Sequence, residues 1–285
     1  MKRTLALILA LCLLAPLCTA AADGGTARAV IGADLNGEQT AGVYAAFGVE
    51  RGSVTELTVT NADEREYLDG LVDSGVLGTH AISCAYVELL PEGSGLEVTA
   101  ENVNWCTPEM YVSALATAGI TDARVKVAAP FAVSGTAALT GVYLAYEDIT
   151  GEELSEEAKR VSSQELTVTA SLSDSIGSLG SVEIINELKL LLDETRDMTD
   201  EELRAEIARI AAEAGVELNG SQVGQLVTLC RALEKLDPDA LREKVQSVQE
   251  TLRGLGAALE KAGGFFQRVM DAVNSVIDFF RGLFN

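Results

Sequence analysis

The sequence is poor in histidine, aromatic residues and basic charge. Of 285 residues one is His, one is Trp and 5% are aromatic, while 43 Asp and Glu face 21 Lys and Arg, giving a formal net charge of -22. A single His excludes His-rich metal sites and most His-dependent catalysis. The negative charge repels nucleic acid and anionic headgroups at long range, so we expect no nucleic-acid partner. Cations, neutral ligands and proteins remain as partners.

Familiar catalytic motifs are also missing from the chain. It contains no G-x-S-x-G, H-E-x-x-H or S-x-x-K motif, no Walker A loop and no EF-hand spacing. We therefore expect no catalytic residues, no metal and no cofactor.

The N-terminus has the features of a secretory signal. Lys2 and Arg3 precede an apolar run, Leu5 to Leu14, and small residues at 20–22 offer cleavage sites. The run is too short to span a bilayer permanently. We expect residues 1–22 to be removed and the protein to be secreted or associated with the cell envelope.

The number of cysteines indicates a protein that is not held together by disulfide bonds. Cys84, Cys106 and Cys230 remain after the expected cleavage. An odd number of three does not make a disulfide framework. We expect all three thiols to be free.

Residues 23–175 predict an α/β domain built from two βαβαβ-like halves. The strands of the two halves are expected at Ala29–Ala33, Val54–Thr60 and Thr79–Leu90, then Leu96–Asn104, Ala123–Ala129 and Glu165–Ala170. The helices are expected at Gly37–Phe47, Ala62–Val72, Pro108–Ala118 and Thr136–Ile149.

The turn-forming segment Pro91 to Gly95 predicts a β-hairpin between the halves. Its register would place His80 opposite Cys106 and Cys84 opposite Asn102. The two cysteines would then lie roughly 13 Å apart along the ladder. That separation excludes a disulfide between them, and no third ligand completes a zinc site.

Residues 178–263 predict a helical domain. Its helices are expected at Val182–Leu192, Asp200–Ala214, Ser221–Leu236 and Asp239–Lys261. Capping boxes are expected along the chain at Asn61, Thr150, Thr199 and Asn219, each followed three residues later by Glu or Gln.

Residues 264–285 predict an amphipathic helix, which contains five of the seven phenylalanines. Its apolar positions share an arc of about 140°. This face is a candidate for contact with a membrane, a partner protein or a second copy. It comprises Phe265, Phe266, Val269, Val273, Val276, Ile277, Phe280 and Phe284, together with neighbouring apolar residues. Packing onto the chain's own helical domain is the alternative.

A candidate ligand site follows from the α/β pattern. Ser134-Gly135-Thr136 lies between a strand and a helix, where free N–H groups suit an anion or a polar ligand. Ligands of open α/β sheets bind beyond the carboxyl ends of the strands. Asp34, Thr60, Asn61, Ser134 and Thr136 could share one rim if their strands are neighbours. Simple helix capping by Ser134 is the alternative.

Several segments together carry a resemblance to a known family. They are Gly32-Ala33-Asp34-Leu35, Thr58-Val59-Thr60-Asn61, Ala81-Ile82-Ser83, Tyr86-Val87-Glu88, Glu92-Gly93-Ser94-Gly95-Leu96, Ala116-Thr117-Ala118-Gly119-Ile120, Ala128-Ala129-Pro130-Phe131 and Val133-Ser134-Gly135-Thr136-Ala137-Ala138-Leu139-Thr140-Gly141. With them the chain resembles the YpuA-like secreted proteins of Gram-positive bacteria, the family called domain of unknown function 1002. The resemblance implies export and supplies no site residues.

The leading functional hypothesis is a non-catalytic interaction module that docks through its helical half and C-terminal helix. The alternative is an extracellular enzyme or ligand-binding protein that uses the rim around Ser134. A deep cavity around Ser134 with converging acidic groups favours the alternative, and a capped, closed rim favours the first hypothesis.

Overall fold

A computed structural model describes residues 25–71 and 77–260 of the chain. The expected signal sequence and the expected C-terminal amphipathic helix, with its candidate face from Phe265 to Phe284, lie outside the described residues.

Five strands form one mixed sheet. They are β1 (Ala27–Gly32), β2 (Thr55–Val59), β3 (Cys84–Leu89), β4 (Leu96–Val103) and β5 (Ala123–Val133), in the spatial order β2-β1-β3-β5-β4. β1 runs parallel to β2 and β4 parallel to β5, while β3 is antiparallel to both of its neighbours. The carboxyl ends of the four parallel-running strands therefore share one edge of the sheet with the amino end of β3.

Helices within the sheet-forming half follow the predicted positions closely. They are α1 (Gly37–Phe47), α2 (Asn61–Leu68), α3 (Pro108–Ala118) and α4 (Thr136–Thr150). Alternation along the strands buries two faces of the sheet. Val30, Ala85 and Val127 pack against residues of α3 and α4. Ala29, Ile31, Cys84 and Tyr86 pack on the other face, where α1 contributes Val43, Tyr44 and Phe47.

The predicted β-hairpin between the halves is wrong. β3 and β4 are not neighbours, because β5 lies between them. Cys84 pairs with Ala128 of β5, and His80 precedes β3 rather than facing Cys106. The zinc and disulfide arguments thus used a register that does not exist. The expected outcome for the thiols still holds, because Cys84, Cys106 and Cys230 are all buried and free.

The predicted strand Glu165–Ala170 is also wrong, because this segment lies within helix α5 (Glu156–Ile176). Thr167 and Thr169 donate their hydroxyls to carbonyl groups of their own helix, at 2.9 and 2.6 Å. These two bonds satisfy the hydroxyl groups of the β-branched threonines while the backbone stays helical. The second half of the sheet-forming region is therefore βαβα and not βαβαβ.

The remaining helices confirm the helical character of the second half. They are α6 (Ser178–Leu190), α7 (Leu192–Thr195), α8 (Asp200–Glu213), α9 (Gly220–Leu233) and α10 (Pro238–Glu260). Cys230 lies in their core, as expected, with Leu188, Leu203, Ile207 and Leu226. The division at residues 175–178 coincides with the junction of α5 and α6 at Gly177. That the halves form separate domains stays a prediction.

Two of the four expected capping boxes are confirmed, at Thr199 and Asn219. The cap of α2 is Thr60 with Asp63, and not Asn61. No helix begins at Thr150, and Ser155 caps α5 instead. In both corrections the cap is the residue directly before the first helical residue, whose side chain can accept from the free N–H groups of the first turn.

Candidate functional site

A cavity of about 580 Å³ opens at the sheet edge where the predicted rim lies. We call it the rim cavity. Its walls come from α2, from the segment before β3, from the β4–α3 connection and from the turn between β5 and α4. Its lining residues are Glu64, Leu77, Gly78, Thr79, His80, Ile82, Ser83, Asn104, Trp105, Ala132, Val133, Ser134, Gly135, Thr136 and Ala137.

The five predicted rim residues fall into two groups. Ser134 and Thr136 line the cavity directly, with their hydroxyl oxygens 3.3 Å apart. Asp34, Thr60 and Asn61 support its surroundings. Asp34 accepts a hydrogen bond from the Ala81 N–H at 2.8 Å, which fixes the segment leading into β3. Thr60 caps α2.

Glu64 joins the two groups, and the sequence argument missed its role. Asn61 donates its side-chain amide to one carboxyl oxygen of Glu64 at 3.2 Å, and the Thr136 hydroxyl donates to the other. Glu64 is only 1% exposed. Burial raises the pKa of its carboxyl group, while the bonds from Thr136 and Asn61 and the nearby charge of Arg65 oppose this shift. The sequence does contain Glu64 three residues after Asn61, but this spacing predicted only a capping box and not a buried carboxyl group.

The position of Glu64 also concerns the expected anion site. α4 begins at Thr136 after Gly135, which supplies no side-chain cap. A carboxylate beside the first residue of a helix is favoured by the helix dipole. Glu64 lies at the amino end of α4 through its bond from the Thr136 hydroxyl, and the Ala138 N–H in the first turn donates to Ser83 Oγ at 3.0 Å.

The turn before α4 requires glycine at its centre. Gly135 has φ of 99°, in the left-handed region, and a Cβ atom there would lie 2.5 Å from the Tyr111 hydroxyl and from a Val103 methyl group. The Tyr111 hydroxyl donates to the Gly135 carbonyl at 2.6 Å. The buried Tyr111 thus holds the cavity wall in place.

Trp105, the only tryptophan of the chain, also lines the rim cavity. The residues before and after Trp105 are hydrogen-bonded to the end of β5 and to the residue that follows it. Asn104 N–H donates to the Val133 carbonyl and Cys106 N–H to the Ser134 carbonyl, each at 3.0 Å. These bonds keep the indole beside the Ser134 turn. The β-bulge at the end of β4, with Asn102 at φ of 58°, precedes this segment.

His80 also lines the rim cavity, whereas the predicted hairpin would have placed it opposite Cys106. Its Nδ1 is 2.9 Å from the Thr79 hydroxyl. Both residues precede β3, whose amino end shares the edge with the carboxyl ends of its neighbours. The antiparallel direction of β3, which the sequence did not specify, brings His80 to the site.

The described part of the chain offers no cluster of three or more His, Cys, Asp or Glu side chains that could hold a metal ion. The cysteines are also poor nucleophiles. Burial raises the pKa of Cys84 to about 11 and that of Cys230 to about 11. It raises the pKa of Cys106 further still. Thiols with such values remain protonated near neutral pH.

Within residues 25–71 and 77–260, no helix is both long enough and apolar enough to cross a membrane.

Comparison with known proteins identifies the family. Residues 31–252 match the family described as "Protein of unknown function (DUF1002)". The chain is also similar to the "Uncharacterized protein YpuA" of Bacillus subtilis (strain 168), with 34% identity over 262 residues that cover 88% of this chain and 90% of the other. No solved structure gives a significant match. The resemblance found in the sequence is thereby confirmed, and the chain belongs to the DUF1002 family.

Proposed function

We propose that the protein is an exported, non-catalytic binding protein whose rim cavity takes a small, uncharged polar ligand. The observation that carries the proposal is the open cavity at Ser134, with a buried carboxyl group that orients the Thr136 hydroxyl. The sequence left two hypotheses, an interaction module and a ligand site at the rim. The open cavity supports the ligand site.

The arrangement of hydrogen bonds determines which ligand atoms fit. Thr136 donates its hydroxyl hydrogen to Glu64, so its oxygen can only accept. The Ser134 hydroxyl, 3.3 Å away, is one donor already in reach, which leaves one lone pair of Thr136 for a ligand. Asn104 and Thr79, which also line the cavity, can both donate and accept. Hydroxyl and amide groups of a ligand would match this mixture.

Charge argues against an anionic ligand. The described lining of the rim cavity contains no Lys or Arg, and its ionisable members are Glu64 and His80. Glu64 already lies at the amino end of α4, and the chain as a whole carries a formal charge of -22. An anion would meet repulsion from both, without a basic side chain to compensate.

A binding role without catalysis is the simpler interpretation of the side chains. The three buried thiols are protonated, which removes the strongest nucleophiles of the chain. The acidic group in the cavity is already hydrogen-bonded to Asn61 and Thr136. Its function would be to hold Thr136 in one orientation.

The experiment uses the fluorescence of Trp105, since this residue lines the cavity and has no competitor in the chain. The processed full-length protein is titrated with glucose, N-acetylglucosamine and a capped dipeptide amide as neutral probes, with citrate as the anion and choline as the cation. We expect a saturable change with at least one neutral probe. Binding should weaken in Asn104→Ala and Thr136→Val and be retained in Ser247→Ala, a change at an exposed serine of α10.

Two results would contradict the proposal. One is saturable binding of citrate or choline with no binding of the neutral probes. The other is neutral binding that Asn104→Ala and Thr136→Val leave unchanged. Asn104 is exposed, so its variant tests the site even if Thr136→Val reduces folding.

Export is part of the proposal and has its own test. The basic n-region, apolar run and small residues at 20–22 support cleavage after Ala20 or Ala22. N-terminal sequencing of protein from the medium and the cell-associated fraction should find Ala21 or Asp23 first. An intact Met1 in those fractions would contradict export by this route.

A second function is favoured by the concentration of phenylalanine in residues 265–284. We propose that this segment docks on a membrane surface, a partner protein or a second copy, as an addition to ligand binding. The sequence predicts that its apolar positions share one face of a helix, and its charged residues argue against a helix that spans a membrane.

A further inference from the structure

A second cavity adjoins the rim cavity and shares one of its walls. It has a volume of about 520 Å³ and lies between α5 and α9, so we call it the α5–α9 cavity. Its lining residues are Gly70, Leu71, Trp105, Gln164, Thr167, Val168, Ser171, Ser221, Gly224, Gln225 and Thr228. Trp105 also lines the rim cavity. Trp105 therefore borders both cavities.

The α5–α9 cavity has both polar and apolar walls, and its described lining contains no charged side chain. Its described walls contain six side chains with hydroxyl or amide groups and no Asp, Glu, Lys, Arg or His. Hydroxyl and amide groups can both donate and accept hydrogen bonds. A bond between the Gln222 amide and the Ser175 hydroxyl, 2.6 Å long, holds α9 against α5 beside this cavity. The walls are thus fixed by contacts within the protein.

We propose that the two cavities together bind a neutral oligosaccharide that passes over Trp105, an inference that rests on the ligand binding proposed for the rim cavity. Sugar rings present hydroxyl groups at their edges and C–H groups on their faces. The hydroxyl and amide side chains of both cavities match the edges. The indole face matches the C–H groups, since an aromatic side chain buries apolar surface while its N–H stays available for a hydrogen bond.

Other extended ligands fit the walls less well. A peptide bound in extended form usually adds to a strand edge, and the α5–α9 cavity is lined by helices and loops. Anionic polymers are disfavoured by the formal charge of -22 and by the absence of Lys and Arg from both described linings. A neutral chain of hydroxyl-bearing units remains.

Calorimetric titration of the processed full-length protein tests the inference. The probes are glucose and N-acetylglucosamine with their neutral β-linked oligomers of two to four units. Filling the second cavity should make the tetramer of at least one series bind about tenfold or more tightly than its monomer. Gln225→Ala and Thr228→Ala change exposed residues of the α5–α9 cavity. They should weaken tetramer binding about threefold or more and leave monomer binding unchanged.

Matched variants separate this inference from the proposed function. Asn104→Ala in the rim cavity should weaken monomer and tetramer alike, and Ser247→Ala should change neither. A tetramer that binds no tighter than the monomer, or that is unaffected by Gln225→Ala, overturns the inference while the rim site stands. Binding of the capped dipeptide amide without binding of any sugar would also overturn the oligosaccharide inference and leave the rim site standing. If no neutral probe binds at all, both proposals fail.

Discussion

At the turn between β5 and α4, the missing side chain of Gly135 determines the shape of the rim cavity. Its φ of 99° is a conformation that residues with a Cβ atom rarely adopt. The space for a Cβ atom is already filled by the Tyr111 hydroxyl and a Val103 methyl group. Backbone conformation and packing thus both require glycine here.

Gly135→Ala should therefore lower the free energy of unfolding by about 2–4 kcal/mol, from the positive φ and from overpacking together. Gly151→Ala is the matched control. Gly151 also has a positive φ, of 70°, but nothing lies within 4 Å of its would-be Cβ atom. Its loss should be smaller, about 1–2 kcal/mol. Urea unfolding measures both, and equal losses would show that Tyr111 and Val103 give way without cost.

Glu183 of α6 gives a pH-dependent prediction at the same scale. Burial raises the pKa of its carboxyl group from 4.5 to about 8, and the charge of Glu187 adds to the effect. A carboxyl group with a raised pKa in the folded state stabilises the protein below its unfolded pKa. This contribution is lost as the pH rises from about 4.5 through about 8.

Glu183→Gln should consequently raise the free energy of unfolding at about pH 8.5 by at least 1 kcal/mol, since one pKa unit corresponds to about 1.4 kcal/mol. At about pH 4 the two proteins should differ little. Glu201→Gln, at an exposed position of α8, serves as the control. Unfolding in urea at both pH values provides the comparison. A stabilisation of equal size at both would show that the titration of Glu183 is not its cause.

Among the helices, a buried ion pair joins three elements of the molecule. Lys189 of α6 donates to Glu165 of α5 at 2.6 Å, and both side chains are fully buried. Ser113 and Thr117 of α3 donate to the two oxygens of the same carboxylate, each at 2.6 Å. The pair thus connects the layer that covers the sheet with the helical half. Burial lowers the pKa of Lys189, opposed by the charge of Glu165.

Removing one member of this pair should cost more than removing both. Lys189→Met leaves a buried carboxylate without its cation and should lower the free energy of unfolding by about 3–5 kcal/mol. The double variant Glu165→Leu with Lys189→Met removes both charges, and it should recover at least about 1 kcal/mol of this loss. Thermal and urea unfolding of the single and double variants decide the point. A double variant less stable than Lys189→Met would show that the polar network is worth more than an apolar replacement.

At the level of the whole molecule, residues of the helical half contribute to the core beside the sheet, while the helical half also has a core of its own. Val182 of α6 and Val248 of α10 pack in the same cluster as Val87 and Val125 of the sheet. Leu241, Val245 and Val248 of α10 are buried. α10 therefore packs within the molecule through these three residues.

Deletion of residues 265–285 tests the docking proposed for this segment. If it docks on membranes, the shortened protein should lose binding to phosphatidylcholine vesicles while its Tm changes by less than about 2 °C. The control is the full chain with Asn274→Ala and Ser275→Ala, which changes the predicted polar side only and should bind as the unaltered protein does. A lower Tm with unchanged vesicle binding would show that the segment packs on its own chain.

Local sequence signals were sufficient for most individual elements. Pro108 after Thr107 and the stop at Gly119 gave the bounds of α3, and Asn36 and Gly48 enclose α1. Caps, glycine stops and helical periodicity act over a few residues, so they are readable from the chain alone. Glu165–Ala170 is the informative failure, because β-branched residues there are held in a helix by packing and by bonds to its own backbone.

The amino-acid sequence by itself determined the class of the protein. Its charge, the single His, the odd number of cysteines after the expected cleavage, most of the helices and strands, and the family resemblance follow from residue types and short-range patterns. It also placed Ser134 and Thr136 at the end of a strand, where a ligand site can form.

Only the tertiary structure decided which segments meet. Strand order depends on long-range pairing, and the insertion of β5 between β3 and β4 replaced the hairpin that local turn residues favoured. The antiparallel β3 brought His80 to the edge that holds Ser134, and the packing of α2 against α4 buried Glu64 beside Thr136. These contacts join residues far apart in the chain, so no local pattern encodes them.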